Sequence, residues 1–234
     1  MSDEEKTPNE LLLEYINIYL APRNRDYRGD ELEVKFGTKH YNQITKTDFD
    51  NIIRKLKSLG FKEIKEEYYL NINTEFVDER TGKMRDSNIR ATISGISNIQ
   101  RYCKENIINE DNLEGITFMQ KFRKKDGRDG QVLYPIDFHD FHFRVNYKTE
   151  RDITPTVVSG SYGGQNVTDY KIRPEVSSMI DSWKDTKKTF RFIKRYSFIH
   201  SNRLKYPYQF DLSIVKTNKQ RRLQSGRKVL IKEY

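Results

Sequence analysis

The chain is poor in the residues that staple small proteins together. Its 234 residues contain one cysteine, Cys103, which excludes an intrachain disulfide and a cysteine-built zinc site. There are four histidines, His40, His139, His142 and His200. His139 and His142 have helical spacing but sit in a segment that reads as extended, so they are not taken as a metal pair. No apolar run approaches the roughly 18 residues of a membrane-spanning helix. The opening Met-Ser-Asp-Glu-Glu-Lys lacks the basic and apolar regions of a secretory signal, so a cytoplasmic, reducing setting and no membrane partner are expected. Apolar residues make up only 35% of the chain and the mean hydropathy is −0.89, low for a fold with a dry centre.

Charge is abundant. Lys and Arg total 43 against 34 Asp and Glu, a net +9, which points to a polyanion: RNA, DNA or polyphosphate. A 12% aromatic content argues against disorder and for a packed core. A single domain over 1–234 is expected, with 1–7 disordered. Thr7 and Pro8 mark the start of a helix reaching about Ala21, its apolar residues Leu11, Leu12, Tyr15, Ile16, Tyr19 and Leu20 at helical spacing. A second helix is expected from about Asp48 to Leu59, capped by Thr47 and stopped by Gly60. Strands are expected at 31–36, 61–70, 71–78, 87–94, 116–124, 132–136, 141–150, 188–199, 207–216 and 227–233, with short helices near 96–106 and 174–184. Asp126-Gly127 and Asp129-Gly130 mark turns. The glycine-rich 158–167 is read as a flexible loop; it lacks the P-loop pattern.

Several strands carry charge on one face. Side chains two apart in a strand share a face. Glu31, Glu33 and Lys35 thus oppose Leu32, Val34 and Phe36. Arg144, Asn146, Lys148 and Glu150 share a face, as do Lys121 and Arg123, and Gln209, Asp211 and Ser213. Arg90 lies between Asn88 and Thr92, opposite Ile89, Ala91 and Ile93. A solvated face explains such alternation in any one strand. Across the set, however, acids concentrate on one strand and bases on several, and the helices need a sheet to cover. The expected fold is therefore mainly β (α+β): a closed antiparallel barrel with a polar lumen and helices packed outside. Clustered Arg and Lys suit a phosphate chain, and alternate glutamates suit Mg²⁺ or Mn²⁺. Together they describe a metal–triphosphate site.

At Glu31-Leu32-Glu33-Val34-Lys35 the sequence resembles the Glu-x-Glu strand of the triphosphate tunnel metalloenzymes. Ser87 to Gly95 followed by Tyr102-Cys103-Lys104, Phe143 to Glu150, and Lys194 to Phe198 followed by Gln209 to Ser213 extend the resemblance over roughly 30–216. It is nearest to the RNA 5′-triphosphatase domain of mRNA-capping enzymes from giant DNA viruses of the Mimivirus type. The resemblance implies a closed eight-stranded tunnel that removes the γ-phosphate of 5′-triphosphate RNA with Mg²⁺ or Mn²⁺. It implies metal ligation by Glu31 and Glu33, with Asp211 nearby, and a water-orienting role for Glu150. It implies phosphate contacts at Arg90, Lys121, Arg144 and Lys148, and at one or two of Arg191, Lys194 and Arg195. Within that last group Arg191 and Arg195 share one face and Lys194 the other. The family's last strand carries alternate glutamates that supply a further metal ligand; the candidate is 227–233, where Glu233, the only acid after Asp211, would carry that role. Guanylyltransferase and methyltransferase domains as partners, and host cytoplasm or virion as location, are also implied.

Two other readings fit parts of the sequence. A small-molecule tunnel triphosphatase acting on inorganic triphosphate, thiamine triphosphate or free NTP shares the Glu-x-Glu-x-Lys opening. A non-catalytic RNA-binding module fits the charge and the tyrosines, but has no use for Glu31 and Glu33 on one face.

Overall fold

The computed structural model describes residues 6–20, 29–36, 44–110, 113–123, 132–141, 143–162, 165–206, 209–218, 221–222 and 228–229. Their order is α1 (Pro8–Leu20), β1 (Asp30–Phe36), α2 (Lys46–Ser58), β2 (Phe61–Asp78), β3 (Lys83–Ser94), α3 (Ile96–Glu105), β4 (Ile116–Arg123) and β5 (Ile136–Phe138). A 3₁₀ turn (His139–Phe141) leads to β6 (Phe143–Asp152). Then come β7 (Thr156–Tyr162), β8 (Gln165–Lys171), α4 (Pro174–Asp181), β9 (Lys188–His200), β10 (Gln209–Thr217) and the two-residue β11 (Arg221–Arg222) and β12 (Lys228–Val229). Among the described residues no helix is long and apolar enough to cross a membrane.

The main sheet has the order β1-β6-β4-β3-β2-β9-β10, with β5 added to β6, and β1–β6, β5–β6, β2–β3, β2–β9 and β9–β10 pair antiparallel. The expected closed eight-stranded ring is corrected to an open sheet with β1 and β10 at its ends. The physical reason lies in the pairing of the remaining strands. β7 pairs with β8 and β11 with β12, each as a separate two-stranded ladder, so these strands do not join the main sheet. The glycine-rich 158–167, expected as a loop, falls largely within the β7–β8 ladder, Thr156 to Tyr162 against Lys171 to Gln165. The expected strand at 227–233 is represented by Lys228–Val229, paired with Arg221–Arg222. Glu233, His40, His142, residues 1–5 and the two Asp-Gly turns lie outside the described residues.

The chain groups into two compact units. One comprises Met1–Ile44 and Gln120–Asp152; the other comprises Thr45–Met119 and Ile153–Tyr234. Each has its own core. In the first, Tyr15 of α1 packs with Ile136, Val145 and Tyr147, and Leu11, Leu12, Ile18, Tyr19 and Leu32 surround them. Thr7 starts α1 as foreseen: its hydroxyl and backbone N–H both donate to Glu10 at 2.8 Å.

In the second unit Leu70 and Ile72 of β2 stand opposite Ile93 and Ala91 of β3, and Phe192 and Phe190 of β9. Ile99 and Tyr102 of α3, Val176 and Met179 of α4, and Trp183 join this apolar cluster. Leu56 and Ile53 of α2 pack with Phe61 and Phe198 in a further cluster. β2 is one long strand where two were expected, because a register shift between Asn73 and Glu75 absorbs the irregularity without a turn. The cap of α2 is Thr45, not Thr47: Thr45 accepts from the Asp48 N–H at 3.2 Å and its own N–H donates to the Asp48 carboxylate at 2.9 Å, a reciprocal capping box.

These cores should govern stability. Phe118, 0% exposed, fills the second unit's main cluster, whereas Leu204 is 100% exposed. Phe118→Ala is expected to cost about 3–5 kcal/mol in urea unfolding, and Leu204→Ala within about 0.5 kcal/mol. Equal effects would contradict this assignment of the core.

Candidate functional site

In the first unit the ladder between β1 and β6 fixes which side chains meet. Glu31 stands opposite Lys148, Glu33 opposite Asn146 and Lys35 opposite Arg144. On the other face Leu32 opposes Tyr147 and Val34 opposes Val145, and Leu32, Tyr147 and Val145 belong to the core with Tyr15 of α1. The apolar alternation thus places two predicted site residues of β1, Glu31 and Glu33, and three of β6, Arg144, Lys148 and Glu150, on one polar surface.

Gly29 sets the end of this ladder. Its carbonyl accepts from the Glu150 N–H at 2.6 Å, and a Cβ there would lie 1.7 Å from the Glu150 carbonyl oxygen. Only glycine permits this approach, which seats Glu150 beside Glu31.

The charges on this surface do not cancel pairwise. Lys121 of β4 bonds the Glu150 carboxylate, which is 15% exposed. Lys35 pairs with Glu33 at 2.9 Å. Burial pushes the Glu31 carboxyl above the ordinary glutamate range, and the carboxylates of Glu150 and Glu33, with a hydrogen bond to Glu150, push it further. Burial likewise pulls the Lys148 ammonium down, helped by Lys35 and Lys121. Like charges are therefore crowded within each sign, as in a site awaiting a charged ligand.

Among the described residues no three His, Cys, Asp or Glu side chains gather around one point. The donor set nonetheless fits Mg²⁺ or Mn²⁺. Such ions accept oxygen donors, and Mg²⁺ is commonly held by one or two carboxylates together with substrate phosphates and water. Glu31 and Glu33, alternate carboxylates on one face of β1, meet that description, with Glu150 crowding Glu31 from β6.

Arg144 has a carboxylate partner within the chain. Its guanidinium forks onto both oxygens of Asp137 on β5, directly opposite it in the ladder. Asp137 was not foreseen, because the expected strand stopped at 136. The alternation Ile136-Asp137-Phe138 was the available signal.

The second unit carries the other predicted bases. Arg90 of β3 stands opposite Asn73, Thr92 opposite Asn71, and Asn71 opposite Arg191 of β9, all on one face. Arg195 shares that face through its partners Glu67 and Ser213; it bonds Ser213 at 3.3 Å, approaches Asp211 at 3.6 Å and lies over the Tyr69 ring. Burial and a hydrogen bond to Glu67 push the Tyr69 phenol up to about 12. Asp211 accepts from Ser197 and from Gln209, each at 2.8 Å.

Lys194 points to the opposite face. There it pairs with Glu66 at 2.9 Å and lies over the rings of Tyr68 and Tyr196. Hydrogen bonds with Tyr196 and Glu66 hold its ammonium above the ordinary lysine range. Of the three candidates at 191–195, the structure thus groups Arg191 and Arg195 with Arg90 and separates Lys194.

The fold is similar to that of solved structures of a viral enzyme. One, a triclinic crystal form of the Mimivirus capping enzyme triphosphatase, aligns with a TM-score of 0.50 at 15% identity over 91% of this chain and 80% of that one. A monoclinic form gives 0.49 at 18% over 93% and 81%. The RNA triphosphatase domain of the trifunctional mimivirus mRNA capping enzyme gives 0.49 at 14% over 91% and 80%. No family model matches the chain, and no curated protein does.

The crowded carboxylates have a consequence for pH. Glu31 is more basic in the folded protein than in the unfolded chain. Its contribution to stability is therefore fully present below about pH 4 and lost as pH rises through the folded value. With metal chelated, Glu31→Gln is expected to melt higher than the wild type at pH 8, with the gap closing near pH 4. A variant that melts lower at pH 8 would show that the charge is already compensated.

Proposed function

We propose that the chain is a metal-dependent RNA 5′-triphosphatase, hydrolysing the bond between the β- and γ-phosphates of 5′-triphosphate RNA to leave a 5′-diphosphate end and phosphate. The observation that carries the reading is the polar surface of β1 and β6. There Glu31 and Glu150 crowd each other beside Glu33, among the cations Lys35, Lys121 and Lys148. The similar fold of the Mimivirus capping enzyme triphosphatase supports it.

Glu31 and Glu33 would hold Mg²⁺ or Mn²⁺, which supplies positive charge to a phosphate oxygen as the γ-phosphoryl group departs. Lys121 and Lys148 bind the remaining phosphate oxygens as point charges. Glu150 orients the attacking water and takes up its proton, and Lys121 holds the carboxylate in place for that role. Arg144, held on Asp137, keeps a fixed orientation at the edge of this surface and adds positive charge there. In the second unit Arg90, Arg191 and Arg195 are further candidates for phosphate contact, on the face they share. Asp211 takes a positioning role toward Arg195. A place beside guanylyltransferase and methyltransferase activities in the host cytoplasm or virion follows from the same reading.

The test is γ-phosphate release with saturating Mn²⁺. Glu31→Gln and Glu33→Gln are each expected to lose turnover by about a hundredfold or more while melting as folded proteins, since a lost anion removes transition-state charge stabilisation. Unchanged turnover in either variant removes that residue from the site. Running tripolyphosphate beside triphosphate RNA separates this reading from a small-molecule triphosphatase, and tight RNA binding without phosphate release would indicate a binding module.

A further inference from the structure

A cleft of about 140 Å³ opens in the first unit between the end of β4 and the segment leading into β5. Arg123 of β4 forms one wall, Tyr134 and Pro135 the other, and Asn146 and Lys148 of β6 line it as well. Its position follows from the pairing. β1 occupies one edge of β6, while β5 takes residues 143–145 of the other, the edge that β4 also joins.

Tyr134 is unusual among the tyrosines. It is 64% exposed, whereas Tyr15, Tyr102 and Tyr147 are buried. Its backbone is nevertheless fixed. The Tyr15 hydroxyl of α1 donates to the Tyr134 carbonyl at 2.8 Å, and the flanking Leu133 and Ile136 belong to the core. The ring is thus held out by a rigid anchor rather than left over on a loose loop. The Arg123 guanidinium lies over the ring, its carbon 6.0 Å from the centroid, at the outer limit of a cation–π contact.

A cavity of this size takes one flat aromatic ring; an engineered apolar cavity of about 150 Å³ holds benzene. An aromatic wall facing a guanidinium is the arrangement on which nucleobases stack. The amide of Asn146, which is buried, offers both a donor and an acceptor to the polar edge of such a ring. Lys148 connects this cleft to the charged surface, because it lines the cleft and stands opposite Glu31 in the ladder.

We propose that this cleft is a nucleobase subsite that receives the base of the nucleotide whose 5′-triphosphate lies on the Glu31 surface. The proposal rests on the triphosphatase reading and narrows it, since inorganic triphosphate carries nothing to fill the cleft. The shared ligand chemistry is a base joined to a 5′-triphosphate, supplied by an RNA end or by a free nucleotide.

The test is calorimetric titration with non-hydrolysable probes in the presence of Mg²⁺: the β,γ-imido analogues of ATP and GTP, imidotriphosphate, and a 5′-triphosphate dinucleotide bearing the same imido bridge. The wild type is expected to bind the nucleotide analogues about tenfold more tightly than imidotriphosphate, the scale of one base stacked on an aromatic ring. Tyr134→Ala should bring that ratio close to one, and Tyr134→Phe, which keeps the ring, should preserve it. Arg123→Gln should lower it as well, and it reports on the same cleft if Tyr134→Ala does not fold. Tighter binding of the dinucleotide than of the nucleotides would identify an RNA end as the source; equal binding would identify a free nucleotide. A wild type without the preference, or a preference that survives Tyr134→Ala in a folded protein, would overturn the subsite. A Tyr134-dependent preference in a protein that releases no phosphate would retain the subsite and defeat the triphosphatase reading alone.

Discussion

Two carboxylates on neighbouring strands, Glu31 and Glu150, are held closer than free anions would choose, and the first unit is built to keep them there. Gly29 allows β1 to approach the Glu150 backbone with no side chain between. The β1–β6 register then places Glu33 and Lys35 on the same surface as Glu31. α1 buries Tyr147, Val145 and Leu32 on the reverse face, and this burial keeps the charged residues from turning away. A one-residue slip would exchange the two faces, so the apolar core fixes the electrostatics. Such crowding is unfavourable by itself, which is why it reads as preparation for a ligand rather than as a source of stability.

The second unit separates polar and apolar faces by the same rule but satisfies its charges more fully. Thr189 donates to Glu75 and Asp86 at 2.9 and 3.1 Å, and Asp211 accepts from Ser197 and Gln209. Its apolar face lies under α3, α4 and Trp183. Lys194 shows how strictly strand parity sorts residues. One position from Arg195, it lies on the opposite face, over two tyrosine rings.

Strand alternation made much of this legible in advance. Glu31, Glu33, Lys148 and Glu150 were grouped from period-two patterning, and the ladder places them on one surface because antiparallel partners share a face. What alternation could not supply was pairing. The closed ring was inferred from charged strand faces and from helices that need a sheet to cover, but β7 and β8 pair with each other, and a strand's partner is a long-range choice its own residues do not declare. Thr45 displaced Thr47 as the cap although both have an aspartate three residues on: the box forms between Thr45 and Asp48, and Thr47 lies inside the helix that starts at Lys46. Asp137 escaped notice because its strand is three residues long and is defined only by pairing with β6. Tyr134 escaped because an exposed tyrosine and a core tyrosine look alike until burial is known.

The central claim is that the Glu31 surface is incomplete without a divalent cation. Its most direct test is thermal melting at neutral pH with Mn²⁺ titrated into wild type and into Glu31→Gln, because a ligand that binds only the folded state raises its melting temperature. The account predicts a saturable rise in the wild type that is absent from Glu31→Gln. An identical rise in both proteins, or none in the wild type even with tripolyphosphate present, would contradict it.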